Sequence, residues 1–79
     1  MARIIDANQL NMVGENVKKA RLAAHMSQQQ LADKLETAAV YICRGSISRI
    51  ESGSRTVTDT ELWGLSQILN IPIEELFQK

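Results

Sequence analysis

An all-α fold, a small bundle of helices, is predicted for this 79-residue chain, and three features carry the prediction. The apolar content is aliphatic: 44% of residues are hydrophobic and only 4% aromatic, which suits a compact helical core better than a sandwich. Apolar residues recur at three- and four-residue spacing along most of the chain, the period of a helix buried on one side. Two segments open with capping-box spacing, Ser27 with Gln30 and Thr58 with Glu61, a pattern that satisfies the free amides at a helix start. A chain this short forms one domain and buries only roughly 60% of its unfolded surface, so most apolar side chains are committed to a single core.

Residues 1–11 read as an N-terminal arm and residues 12–79 as the folded domain. Residues 1–10 lack a sustained period, yet Ile4 and Ile5 are too apolar for a plain tail; an arm extended against a neighbour and a frayed terminus both fit. The first helix starts near Asn11, whose side chain can cap the following amides, and reaches about Ala24, with Val13, Val17, Ala20 and Ala24 along its buried stripe. Gly14 costs such a helix about 1 kcal/mol relative to alanine, and so marks a place where another backbone comes close. His25 and Met26 end this helix; with no second histidine in the chain, His25 reads as an exposed helix-end residue and not as a metal ligand.

Ser27 starts the second helix, whose inner face is Leu31, Ala32 and Leu35; the small Ala32 suits a steep helix crossing. Residues 36–39 prolong it by about a turn before the chain reverses and tucks Ile42 into the core. The third helix spans Arg44–Ser52, with Ile47 and Ile50 inward and Gly53 as its left-handed stop. After a loop over residues 54–57, Thr58 starts the fourth, with Asp59 and Glu61 at the positive end of its dipole and Leu62, Leu65, Ile68 and Leu69 as its core stripe. Asn70 ends it. Pro72 then opens a short last helix with Ile73, Leu76 and Phe77 on its apolar side.

Net charge is zero but unevenly placed: eight basic residues face five acidic ones up to Arg55, and one faces four from Thr56 onward. One end of the molecule can therefore meet phosphates while the other faces water or a partner. The single Cys43 excludes an internal disulfide and a cysteine-rich zinc site. No apolar run approaches the ~20 residues that cross a bilayer, so the expectation is a soluble, cytoplasmic protein with no membrane partner. One histidine, one cysteine and no glycine-rich phosphate loop offer no enzymatic machinery, and neither a metal nor another cofactor is expected.

The second and third helices leave a face of amides, hydroxyls and guanidinium groups, and the major groove of double-stranded DNA is the partner that such a face suits. Arg44 begins the third helix, where it can donate two hydrogen bonds to the O6 and N7 of guanine, a pairing worth about 1–3 kcal/mol of discrimination. The plainer alternative is a solvated arginine touching phosphate alone. Gly45 either admits the backbone close to the groove or reads nothing. Ser46 and Ser48 carry short hydroxyls suited to a base edge or a phosphate. Gln28 and Gln29 stand at the start of the second helix, where side chains, free amides and the helix dipole can hold a phosphate. Cys43, just before the third helix, is either a small turn residue or a thiol activated by the helix end. Trp63 falls off the stripe of the fourth helix; with Ile73 and Phe77 it forms either an exposed patch for self-association or packing inside the monomer.

In their order and spacing these residues resemble the Cro/phage-repressor-like helix-turn-helix proteins, the Xre family. The resemblance is carried by Gly14-Glu15-Asn16-Val17 with Arg21, by Met26-Ser27-Gln28 through Leu31-Ala32 to Leu35, by Ile47-Ser48-Arg49-Ile50-Glu51-Ser52-Gly53, and by Leu69-Asn70-Ile71 leading to Glu74-Glu75-Leu76-Phe77. It implies a five-helix DNA-binding domain in which helices two and three form the helix-turn-helix and the third enters the major groove. It further implies that Arg49 stands at a base-reading position, that Gln28, Ser54 and Arg55 meet the DNA backbone, and that Arg21 and Glu51 form an ion pair tying the first helix to the end of the third. One departure is the presence of extra residues around Glu36 to Tyr41, which leaves the end of the second helix and the angle of the third open. The expected function is a sequence-specific transcriptional regulator, a repressor acting as a homodimer on a palindromic operator. The alternative is a protein-interaction module, such as an antitoxin-like partner, built on the same scaffold.

Overall fold

A computed structural model describes residues 9–78; the reading of residues 1–8 as part of an arm lies outside them. Five helices follow one another: α1 (Gly14–Ala23), α2 (Gln28–Thr37), α3 (Arg44–Ser52), α4 (Asp59–Leu69) and α5 (Ile73–Leu76), with no strand among the described residues. α3 packs on α1 and α2, α4 on α1 and α2, and α5 closes the far side against α1 and α4. The core is aliphatic throughout, with Val17, Leu31, Leu35, Ile47, Ile50, Leu65 and Leu76 fully enclosed.

The two capping boxes form. Ser27 Oγ accepts from the Gln30 backbone amide at 3.0 Å and the Gln30 side-chain oxygen accepts from the Ser27 amide, while Thr58 and Glu61 do the same for α4. α1 starts later than its sequence suggests. Asn11 does satisfy its first amides, accepting from Val13 and Gly14 at 3.0 and 2.7 Å, but it does so from two residues outside the cap position. Its amide nitrogen meanwhile donates to the carbonyls of Ile50 and Arg55, at 3.0 and 2.8 Å, so one buried side chain fastens the start of α1 to the end of α3 and the loop beyond. Gly14 sits at this crossing. A methyl group there would overlap the Ile50 carbonyl oxygen, so the close backbone approach expected from its helix-weakening cost is present. The stripe of α1 continues differently from expectation: Ala24 is exposed beyond the last turn, and the buried place next to it belongs to Arg21.

All four longer helices end the same way. A residue of left-handed backbone follows the last turn (His25, Ala39, Gly53 or Asn70), and the next amide reaches back five residues: Met26 to Arg21, Val40 to Leu35, Ser54 to Arg49 and Ile71 to Ser66, at 2.9–3.1 Å. These bonds satisfy carbonyls that the helix itself leaves free. For α2 this closure comes at Thr37 and Ala38, earlier than the full extra turn expected from the helix-favouring residues 36–39. The cause is tertiary. Val40 and Ile42 are buried, and Val40 fills the notch over Gly64, where an added methyl would come within 2.8 Å of its side chain. Ala39 turns left-handed to send the chain there (φ +61). Alanine is strained in that conformation by about 1–2 kcal/mol, part of which glycine would return as unfolded-state entropy. Ala39→Gly is therefore expected to stabilise the fold by about 0.5–1 kcal/mol, a rise of roughly 2–8 °C in melting temperature, and a lower midpoint would contradict this account of the turn.

Candidate nucleic-acid interface

α3 begins and ends where its sequence places it, and its position follows from two side chains. Ile47 and Ile50 are buried at 1% and 0% exposure, which fixes the rotation of the helix and turns Arg44, Gly45, Ser48 and Arg49 to solvent, with Ser46 partly covered. Arg44 makes no side-chain hydrogen bond among the described residues. The Arg49 guanidinium folds back one turn to donate to Ser46 Oγ at 3.1 Å, and Ser46 Oγ also receives the Cys43 thiol at 3.4 Å. The pKa of the exposed Cys43 is lowered, chiefly because the Ser46 hydroxyl and backbone amide can donate to the thiolate once the thiol proton is gone, with the Arg49 charge adding to it.

The helix is held from behind by a charged cluster. Arg21 Nε and Nη2 donate to the two carboxylate oxygens of Glu51 at 2.7 and 3.1 Å, and Nη1 donates to the Met26 carbonyl at 2.8 Å. Both side chains of this pair are almost wholly shielded from solvent, at 9% and 4% exposure. Glu51 raises the pKa of Arg21, keeping it protonated. Gln28 joins the same cluster, its Nε2 donating to Glu51 Oε1 at 3.0 Å, so one amide at the start of α2 is tied to the end of α3. Gln29 instead points outward and donates to Asp33 at 2.9 Å.

Beyond α3, Ser52 and Ser54 share a hydrogen bond at 2.9 Å, and both hydroxyls lie over the Arg49 carbonyl. Arg55, expected at the DNA backbone, has another engagement in the monomer. Its guanidinium grips Glu61 at both ends, 2.8 Å each, and reaches the Thr56 carbonyl at 2.9 Å. Arg55 and the Thr58 amide together hold the Glu61 carboxyl down to about 2, the guanidinium being the larger cause. The capping-box spacing pointed to Glu61 as a cap; nothing in it signals that the same carboxylate also neutralises Arg55.

The residues between α2 and α3 add one exposed side chain to this face, Tyr41, which was not among the expected site residues. Val40 and Ile42 alternate inward, so Tyr41 between them is thrown outward, 76% exposed. It lines a shallow groove with Gln29, Cys43 and Arg44, shared with the acidic Asp33 and Glu36. The inward–outward alternation of Val40-Tyr41-Ile42 was the available signal. On α4 and at α5, Trp63, Ile73 and Phe77 are 49%, 38% and 40% exposed, outside the core that Leu65, Leu69 and Leu76 complete. No group of acidic, histidine or cysteine side chains capable of holding a metal occurs among the described residues, and no helix is long and apolar enough to cross a membrane.

The family described as Helix-turn-helix matches residues 17–76, from the middle of α1 to the end of α5. No curated protein and no solved structure matches the chain.

Proposed function

The chain belongs to the helix-turn-helix family in its Cro-like form, a family of DNA-binding regulators, and on that premise we propose that it is a repressor acting as a symmetric dimer on a palindromic operator. The observation that carries this reading is the rotation of α3, whose isoleucines are anchored in the core while Arg44, Gly45, Ser48 and Arg49 are presented outward. In this reading Arg44, Gly45, Ser46 and Arg49 meet base edges from the major groove. Gln29, Ser48 and Ser54 meet phosphates beside them, and Gln28 and Arg55 reach the backbone only where DNA draws them from Glu51 and Glu61. A single domain of this size makes few base contacts. Duplication about a two-fold axis doubles them, and the exposed Trp63, Ile73 and Phe77 supply an apolar surface for that pairing.

Selection of bound sites from random duplex DNA tests the proposal. The expected outcome is an enriched motif with dyad symmetry and half-sites about 34 Å apart. Affinity for that motif should fall with salt, with a logarithmic slope of about −0.9 per phosphate neutralised. Failure to enrich any sequence, with binding indifferent to salt, would favour the protein-interaction reading, which the same exposed apolar residues support.

A further inference from the structure

Gly45 stands at the second position of α3, yet nothing inside the protein calls for a glycine there. Gly14 and Gly64 answer to contacts within the fold, since a methyl at either would run into the Ile50 carbonyl or the Val40 side chain. At Gly45 a methyl would meet only the Arg49 guanidinium, at 3.7 Å, an ordinary contact with the flexible end of a side chain. Nor is the backbone conformation one that only glycine favours, for Gly53 is the one glycine of positive φ among the described residues. The position is exposed, lies in regular helix, and carries the residue that weakens a helix most after proline. The monomer therefore bears a cost with no internal return.

We infer that Gly45 is a specificity-determining position whose missing side chain lets the first turn of α3 seat against the base edges of the duplex. The inference rests on the reading of α3 as the DNA-reading helix. Its neighbours set the geometry: Arg44 on one side is free to extend along the groove, and Arg49, one turn on, already leans over the bare position. On this reading a methyl group at Gly45 adds bulk between the first turn of α3 and the base edges, beside the Arg44 side chain that must reach them.

The consequence is a substitution with opposite effects on folding and binding. Gly45→Ala is expected to raise the melting temperature by about 2–6 °C, as alanine replaces glycine in a helix. It should also lower affinity for the wild-type site at least about fivefold, as an added methyl does in a filled contact. The salt slope should stay unchanged, because phosphate contacts are untouched. A repeated selection with Gly45→Ala should alter the preferred base at one step of each half-site and leave the half-site spacing as it was. Wild-type protein that binds duplex DNA while Gly45→Ala binds within twofold of it would overturn the inference alone. A lowered melting temperature would also overturn it, by showing that the fold itself needs the glycine. Wild-type protein that binds no duplex removes the reading beneath the inference, and the inference with it.

Discussion

Replacing Arg44 and Arg49 together by alanine is expected to weaken binding to a selected operator by at least about 30-fold while leaving the fold intact. Each guanidinium that pairs bidentately with guanine contributes about 1–3 kcal/mol of discrimination, and every 1.4 kcal/mol is tenfold. Neither side chain packs into the core, and both lie on the exposed face of a helix whose rotation is set by Ile47 and Ile50. Removing Arg44 also takes a positive charge from the positive end of the α3 dipole, which should favour the helix by a few tenths of a kcal/mol. The melting temperature should therefore stay within a few degrees of wild type. The same variant separates the two functional readings, because a protein partner held at Trp63, Ile73 and Phe77 would not register the change. Operator affinity within about threefold of wild type would mean that α3 does not read DNA.

Arg21→Ala should act in the opposite sense, on folding first and on binding as a result. Arg21 ties three elements together: its guanidinium spans Glu51 at the end of α3 and holds the Met26 carbonyl before α2, and Glu51 in turn receives Gln28. Truncating it leaves a carboxylate shielded from solvent with the neutral Gln28 as its remaining side-chain donor, a situation that costs about 3–5 kcal/mol. Domains of this length are stable by about 4–12 kcal/mol in all, so the loss brings the fold close to its limit. The expected fall in melting temperature is at least about 12 °C. Arg21→Ala combined with Glu51→Ala should lose less than the two single changes added together, because no unpaired charge is then left behind. A melting temperature within 3 °C of wild type for Arg21→Ala would show that the pair is ornamental.

Much of this architecture is written locally, and the parts that are not share a cause. α3 and both capping boxes are legible because Gly53, Ser27 with Gln30, and Thr58 with Glu61 signal their roles through their own chemistry. Gly53 and Asn70 are residue types that tolerate left-handed backbone, so the ends of α3 and α4 can be read. His25 ends α1 where the sequence places it, whereas Ala39 performs the same task at the end of α2 with a residue type that does not advertise it. Tertiary packing overrides propensity there: burial of Val40 decides where Ala39 must turn, and only the assembled core contains that information. The interface divides in the same manner. The exposure of Arg44 and Arg49 follows from their places on α3, and a reading role for Arg49 is implied by the family resemblance alone, whereas the capture of Arg55 by Glu61 and of Gln28 by Glu51 depends on how two elements meet. Asn11 was legible as a cap but not as the bolt between α1 and α3, because its two amide bonds reach residues about forty positions away.

Backbone amide chemical shifts recorded while a selected duplex is titrated into the protein test the central claim most directly. The account predicts that the largest shifts fall on Arg44, Gly45, Ser46 and Arg49, with smaller ones at Gln28, Gln29 and Ser54, and that the Trp63 indole stays where it was. Shifts confined to Trp63, Ile73 and Phe77, with α3 unmoved, would contradict it.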